Sequence, residues 1–101
     1  MAFEIISEAP IKTFKTVEKA VWDSALSYLG ELGCSQAGIM IIEDKYSLQR
    51  QRGLIKVNHK SLDRLRATLA MISQIEGQDV VVRSIGASGI IGKAEDKYIA
   101  G

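Results

Sequence analysis

Cysteine, proline, histidine and tryptophan each occur once in the 101 residues, and each shortage excludes something. The lone Cys34 can form neither an internal disulfide nor a cysteine-based zinc site. A secreted disulfide scaffold is thereby excluded, and a reducing, cytoplasmic setting is expected. The single Pro10 leaves no proline-rich linker. Long hydrophobic runs are missing as well. No purely apolar stretch is longer than four residues, as at Ile39 to Ile42, far short of the roughly 20 residues that a membrane span needs. Met1-Ala2-Phe3-Glu4 shows no basic region leading into an apolar one, so no signal peptide is expected.

Catalytic groups are equally sparse. His59 stands beside Lys60 at a strand-to-helix junction, with no second ligand at metal spacing, and reads as structural or solvent-facing. Cys34 precedes an apolar strand and reads as a small core residue. Glu43 and Asp44 are adjacent, so on a strand they point to opposite faces and cannot work as a carboxylate pair. No Ser-His-Asp arrangement, zinc motif or nucleotide motif is present. Taken alone, the chain does not read as an enzyme, and the isolated chain is expected to be non-catalytic.

What is present is an ordinary globular composition, 47% hydrophobic and 25% charged, in a length that suits one domain. Residues 1–92 are expected to form it, with 93–101 as a C-terminal tail. The net charge of +1 conceals an uneven distribution. Residues 1–44 carry three Lys/Arg against seven Asp/Glu, residues 45–66 seven against Asp63 alone, and residues 67–101 three against four. A basic block on an acidic remainder can steer a polyanion; its plainer reading is a solvated loop and helix face.

Periodicity yields six elements. Phe3–Ser7 reads as a strand. Phe14, Val17, Val21, Ala25, Tyr28 and Leu32 recur at helical steps, predicting a helix over Thr13–Leu32 with Thr13 as N-cap and Gly33 after its end. Ala37–Glu43 reads as a second strand, apolar on both faces, and Asp44–Arg52 as a hairpin loop. Gly53–Asn58 is a third strand, with Ile55 and Val57 on one face and Leu54, Lys56 and Asn58 on the other. A second helix is predicted over Lys60–Ile75, with Leu62, Leu65, Leu69 and Ile72 on one stripe and Gly77 beyond its end. Val80–Ile85 is a fourth strand. The order β-α-β-β-α-β predicts an α+β, ferredoxin-like, RNA-recognition-like sandwich, with two helices on one face of a four-stranded antiparallel sheet. With strand order 4-1-3-2 the second strand lies at an edge, where an apolar surface calls for a protein partner or self-association.

Three features point towards RNA. Arg52-Gly53-Leu54-Ile55-Lys56-Val57-Asn58-His59 partly resembles the octapeptide of RNA-recognition modules, but Leu54 and Lys56 stand where base-stacking aromatics are expected. Lys60, Arg64 and Arg66 gather on the second helix, with Arg50 and Arg52 in the hairpin loop. Guanidinium groups bind phosphates bidentately without reading sequence, although Arg66 lies only about 40° from Leu62 on the helical wheel and so borders the buried stripe. Gly86-Ala87-Ser88-Gly89 resembles the phosphate-approaching loop of KH domains but follows a strand instead of joining two helices; a plain turn is the alternative. Separately, Trp22, Leu26 and Leu29 form a second stripe on the first helix, which either packs under the sheet or meets a partner.

Taken together, several segments resemble a known family. Gly53-Leu54-Ile55-Lys56-Val57-Asn58-His59-Lys60, Leu65-Arg66-Ala67-Thr68-Leu69-Ala70-Met71-Ile72 and the exit Val80-Val81-Val82-Arg83-Ser84-Ile85-Gly86-Ala87-Ser88-Gly89-Ile90-Ile91 are similar to component 2 of archaeal ribonuclease P. Upstream, Val21-Trp22-Asp23-Ser24 and Leu29-Gly30-Glu31-Leu32-Gly33 resemble the family's first helix. The resemblance runs from about Phe3 to Gly92. Family members usually carry a short basic segment before the first strand, where this sequence has only Met1-Ala2, and the resemblance does not extend to the residues from Lys93 onward, which are expected as a tail.

The resemblance implies a subunit of a ribonucleoprotein that removes the 5′ leader from precursor tRNA. In that family the RNA is the catalyst and holds magnesium at the scission site, and the protein itself binds no cofactor. Its implied partners are the ribonuclease P RNA, precursor tRNA within the holoenzyme, and the TIM-barrel-like component 3, with two copies of each associating. From the resemblance and the charge map, RNA contacts are expected at Arg50, Arg52, Lys56, Lys60, Arg64, Arg66, Arg83, Gly86, Ser88 and Gly89, and partner contacts at Trp22, Leu26, Met40 and Ile42. Two other readings stand beside it: an ACT-like module that binds an amino acid, and a protein-binding adaptor without RNA contact.

Overall fold

The alternating apolar pattern resolves into a single mixed layer structure. A computed structural model describes residues 1–87 and 95–100, the latter without the side chains of residues 95, 96 and 100. The described residues form β1 (Ala2–Ser7), α1 (Phe14–Ala37), β2 (Met40–Ser47), β3 (Arg52–Lys56), α2 (Leu62–Ala70), β4 (Gln74–Ile75) and β5 (Gln78–Gly86). A 3-10 turn at His59–Ser61 precedes α2, and a π-helical turn spans Glu95–Ala100. The strands pair antiparallel in the order β2-β3-β1-β5-β4. The architecture is α+β, with both helices packed on one face of the sheet.

Four strands are predicted and five are found. The order of the predicted four holds, with β5 as the fourth and β2 at an edge. The additional strand comes out of the predicted second helix, which ends at Ala70 instead of Ile75. Ile72 and Ile75 still enter the core, so the apolar spacing suited either conformation. The turn decides: Glu76 and Gly77 have φ of 55° and 76°. A two-residue loop with both central residues left-handed matches the twist of a hairpin, so Gly77 closes β4 onto β5 instead of capping a helix.

The first helix also departs from its prediction. It runs to Ala37 and ends at Gly38, with Gly33 inside it. Thr13 occupies the N-cap position, but its hydroxyl makes no capping bond. At Gly30 a φ of 73° and ψ of 173° interrupt the helical path, a conformation that favours a residue without Cβ. Beyond this kink the stripe changes register. Leu32 is exposed there, as Tyr28 already is ahead of the kink, and Cys34 and Ala37 face the core. β2 continues to Ser47, which shortens the predicted hairpin loop to residues 48–51.

Phe3 and Ile5 of β1, Ile41 of β2, Ile55 of β3 and Val80 and Val82 of β5 pack against Val17, Val21 and Ala25 of α1 and Leu65 and Leu69 of α2. Each fully buried large aliphatic or aromatic chain contributes about 1.5–3 kcal/mol relative to exposure. Where the helices meet, the Ser24 hydroxyl donates to the Thr68 carbonyl at 2.8 Å and the Thr68 hydroxyl to the Arg64 carbonyl at 2.9 Å. The loop after β2 is tied down by Gln51, whose side-chain amide donates to the Ser7 hydroxyl and accepts from the Ile11 amide. Gly53 faces Phe3 in the register, and a Cβ there would meet the Phe3 ring at 2.6 Å. The ring lies across the glycine, so this position is dictated by packing.

Candidate nucleic-acid interface

Because side chains alternate along a strand, the face away from the helices carries Ala2, Glu4 and Ile6 from β1, Arg52, Leu54 and Lys56 from β3, and Val81 and Arg83 from β5. Register places Glu4 opposite both Arg52 and Arg83. Arg52 Nε donates to Glu4 Oε2 at 2.9 Å, and Arg83 donates to Oε1 from Nη2 at 2.7 Å and from Nε at 3.0 Å. The hydrogen bond from Arg52, then that from Arg83, holds the Glu4 carboxyl below its ordinary value. Two guanidinium groups share one carboxylate, so the cluster retains one net positive charge near the centre of the sheet. Beside it the cross-strand pair Ile6 and Val81 is exposed.

The other half of this face is covered by the chain itself. Ala2 and Leu54 are buried beneath Ile42, Ile85, Tyr98 and Ile99. The Tyr98 phenol occupies the space that a Cβ on Gly86 would need, and Arg52 Nη1 donates to the Tyr98 carbonyl at 3.1 Å. Lys97 Nζ lies 5.4 Å from the centroid of the Tyr98 ring, within cation–π range.

The basic residues named from the sequence therefore fall into separate places. Arg52, Lys56 and Arg83 share the sheet face, with Gly86 beside them on β5. Lys60, Arg64 and Arg66 are exposed on the helix layer, on the other side of the sheet, and Arg66 pairs with Asp63 at 2.9 Å. Arg50 is exposed on the short β2–β3 loop. Ser88 and Gly89 lie outside the described residues. Of the expected partner contacts, Met40 and Leu26 are exposed, Trp22 packs at the margin of the main core, and Ile42 belongs to the cluster under Tyr98.

The model of the Rpp14/Pop5 family matches residues 1–99. The chain belongs to the Rpp14/Pop5 family. It is 37% identical over 100 residues to "Ribonuclease P protein component 2" of Thermococcus kodakarensis, covering 99% of this chain and 81% of that relative. The protein of the same name from Thermococcus gammatolerans is 33% identical with the same coverage. That of Methanosarcina barkeri is 30% identical, over 98% of this chain and 70% of the relative.

In this Rpp14/Pop5 chain the sequence reading missed two residues of the sheet face. Glu4 passes unnoticed because nothing local announces that a lone acid on β1 will lie between arginines 48 and 79 residues away. Tyr98 carries a faint signal, an aromatic-aliphatic pair with Ile99 in a charged tail. His59 is exposed, whereas Cys34 is buried and its thiol is pushed up by that burial, which makes it a poor nucleophile. Among the described residues no group of three or more His, Cys, Asp or Glu could hold a metal ion, and no helix is long and apolar enough to cross a membrane.

Proposed function

We propose that this chain is a protein subunit of ribonuclease P, working in the cytoplasm to support the catalytic RNA in removing the 5′ leader from precursor tRNA. The observation that carries the reading is the family match over residues 1–99, joined to relatives named as ribonuclease P protein component 2. The chain's own residues bind and position and do not carry out the cleavage. On this reading the magnesium associated with that reaction is held by the RNA.

The sheet order, read with β4 as an appended hairpin, is the ferredoxin-like arrangement used by RNA-recognition modules. Arg52, Lys56 and Arg83, with the backbone at Gly86, form the principal RNA surface. Arg64, Arg66 and Lys60 make a second, separate set of phosphate contacts on the helix layer, with Arg50 at the rim. Component 3 of the enzyme meets the exposed flank of α1 at Trp22 and Leu26, and the edge strand through Met40 and Ile42 supports association of a second copy. The deciding experiment is cleavage of a precursor tRNA by the RNA subunit and component 3, with and without this chain, at moderate magnesium. Restored 5′-leader removal is expected. No change, with every part folded, refutes the subunit reading and leaves an ACT-like module, tested by an amino-acid thermal-shift screen, or an adaptor.

A further inference from the structure

The third strand offers no aromatic to the open face, yet that face has one. The C-terminal turn lays Tyr98 over Gly86, where a Cβ would collide with the phenol. The turn is held by the hydrogen bond from Arg52 to the Tyr98 carbonyl and by Ile99 and Tyr98 packing on Leu54 and Ala2. We infer that Tyr98 is a nucleobase-stacking platform, brought to the sheet by the tail in place of the missing strand aromatic; this inference rests on the RNA-binding reading above.

The surroundings suit that role. One side of the ring is used up against the sheet, and the residue as a whole stays partly accessible. Arg52 is fixed by Glu4 beside it, and the flexible, exposed Lys97 is close enough to move from the ring onto a phosphate. An aromatic ring flanked by cations is the composition by which single strands are held without sequence readout, the ring taking the base and the cations the backbone. The Arg52–Glu4–Arg83 bonds pre-set the side chains at little further ordering cost.

The test is binding of a fluorescent single-stranded oligouridylate by the full chain and its Tyr98→Phe, Tyr98→Leu and Tyr98→Ala variants at several salt concentrations, with urea midpoints measured in parallel. Tyr98→Phe is expected to bind within about 2-fold of the parent. Tyr98→Leu preserves an apolar cover over Leu54 and is expected to lose about 5- to 100-fold, as does Tyr98→Ala, with the salt dependence unchanged. Equal binding by the leucine variant and the parent overturns the inference, because the ring would then be only a cover. Tighter binding by the alanine variant overturns it too, since the turn would be blocking the face. If the parent binds no oligonucleotide at any salt, the RNA reading itself falls and the inference with it.

Discussion

Replacing Glu4 by glutamine should move stability and RNA affinity in opposite directions. The carboxylate accepts three hydrogen bonds from two arginines. Its side chain is 15% exposed, that of Arg52 28% and that of Arg83 58%. Hydrogen bonds to charged groups contribute about 1.5–3 kcal/mol where water is excluded, whereas exposed ion pairs contribute up to about 1 kcal/mol. The Arg52 contact belongs nearer the first class and the Arg83 contact to the second. Glutamine retains one acceptor oxygen but turns its amide towards a guanidinium. Glu4→Gln is therefore expected to cost about 1–2 kcal/mol at pH 7, a fall in Tm of roughly 4–8 °C per kcal/mol for a domain of this size.

The pH dependence carries its own sign. The folded carboxyl lies below its ordinary value, so its stabilisation is complete above the ordinary glutamate range and disappears as pH falls through the folded value. The gap between parent and variant in urea unfolding should thus close under acid. Removing the carboxylate also frees one positive charge on the sheet face. The slope of log affinity against log salt should then steepen by about 0.7–0.9, which makes affinity fall about 3-fold further between 50 and 200 mM salt. A variant as stable as the parent at pH 7, or one with unchanged salt dependence, would refute this account of the cluster.

Other consequences are as direct. Gly53→Ala should destabilise by about 1–3 kcal/mol through the clash with Phe3, and in a double-mutant cycle Phe3→Leu should recover part of the loss. Gly30→Ala meets no neighbouring atom, so its cost, about 1–3 kcal/mol, should be backbone strain alone, visible as a lower urea midpoint with unchanged RNA affinity. If the sheet face is the principal RNA surface, Lys56→Glu should weaken RNA binding more than Arg64→Glu; equal losses would place the two surfaces on a par.

How much of this was legible in the sequence follows from the range over which each feature is determined. The apolar stripes of Val17, Val21 and Ala25 and of Leu65 and Leu69, and the alternation of Phe3 with Glu4 and of Leu54 with Ile55, are local. They established two helices on an antiparallel sheet, whereas Arg52, expected in the hairpin loop, gains its place on the sheet face only from the pairing of β3 with β1. Family membership was legible for a related reason: Leu65–Ile72 and Val80–Gly86 combine core and surface requirements in continuous stretches.

Tertiary structure decided the rest. Ile72 and Ile75 suit a helix or a strand equally, and only the left-handed pair Glu76-Gly77 closing onto β5 selects the hairpin. Tyr28 and Leu32 continue the helical stripe on paper, but both are exposed, Tyr28 ahead of the kink at Gly30 and Leu32 beyond it. Glu4 meets Arg52 and Arg83, and Tyr98 meets Gly86, only once strand register brings distant segments together. Local periodicity specifies which face a residue occupies. Which residue stands opposite it is settled by pairing between distant strands, and on this chain the sheet face is made of such pairings.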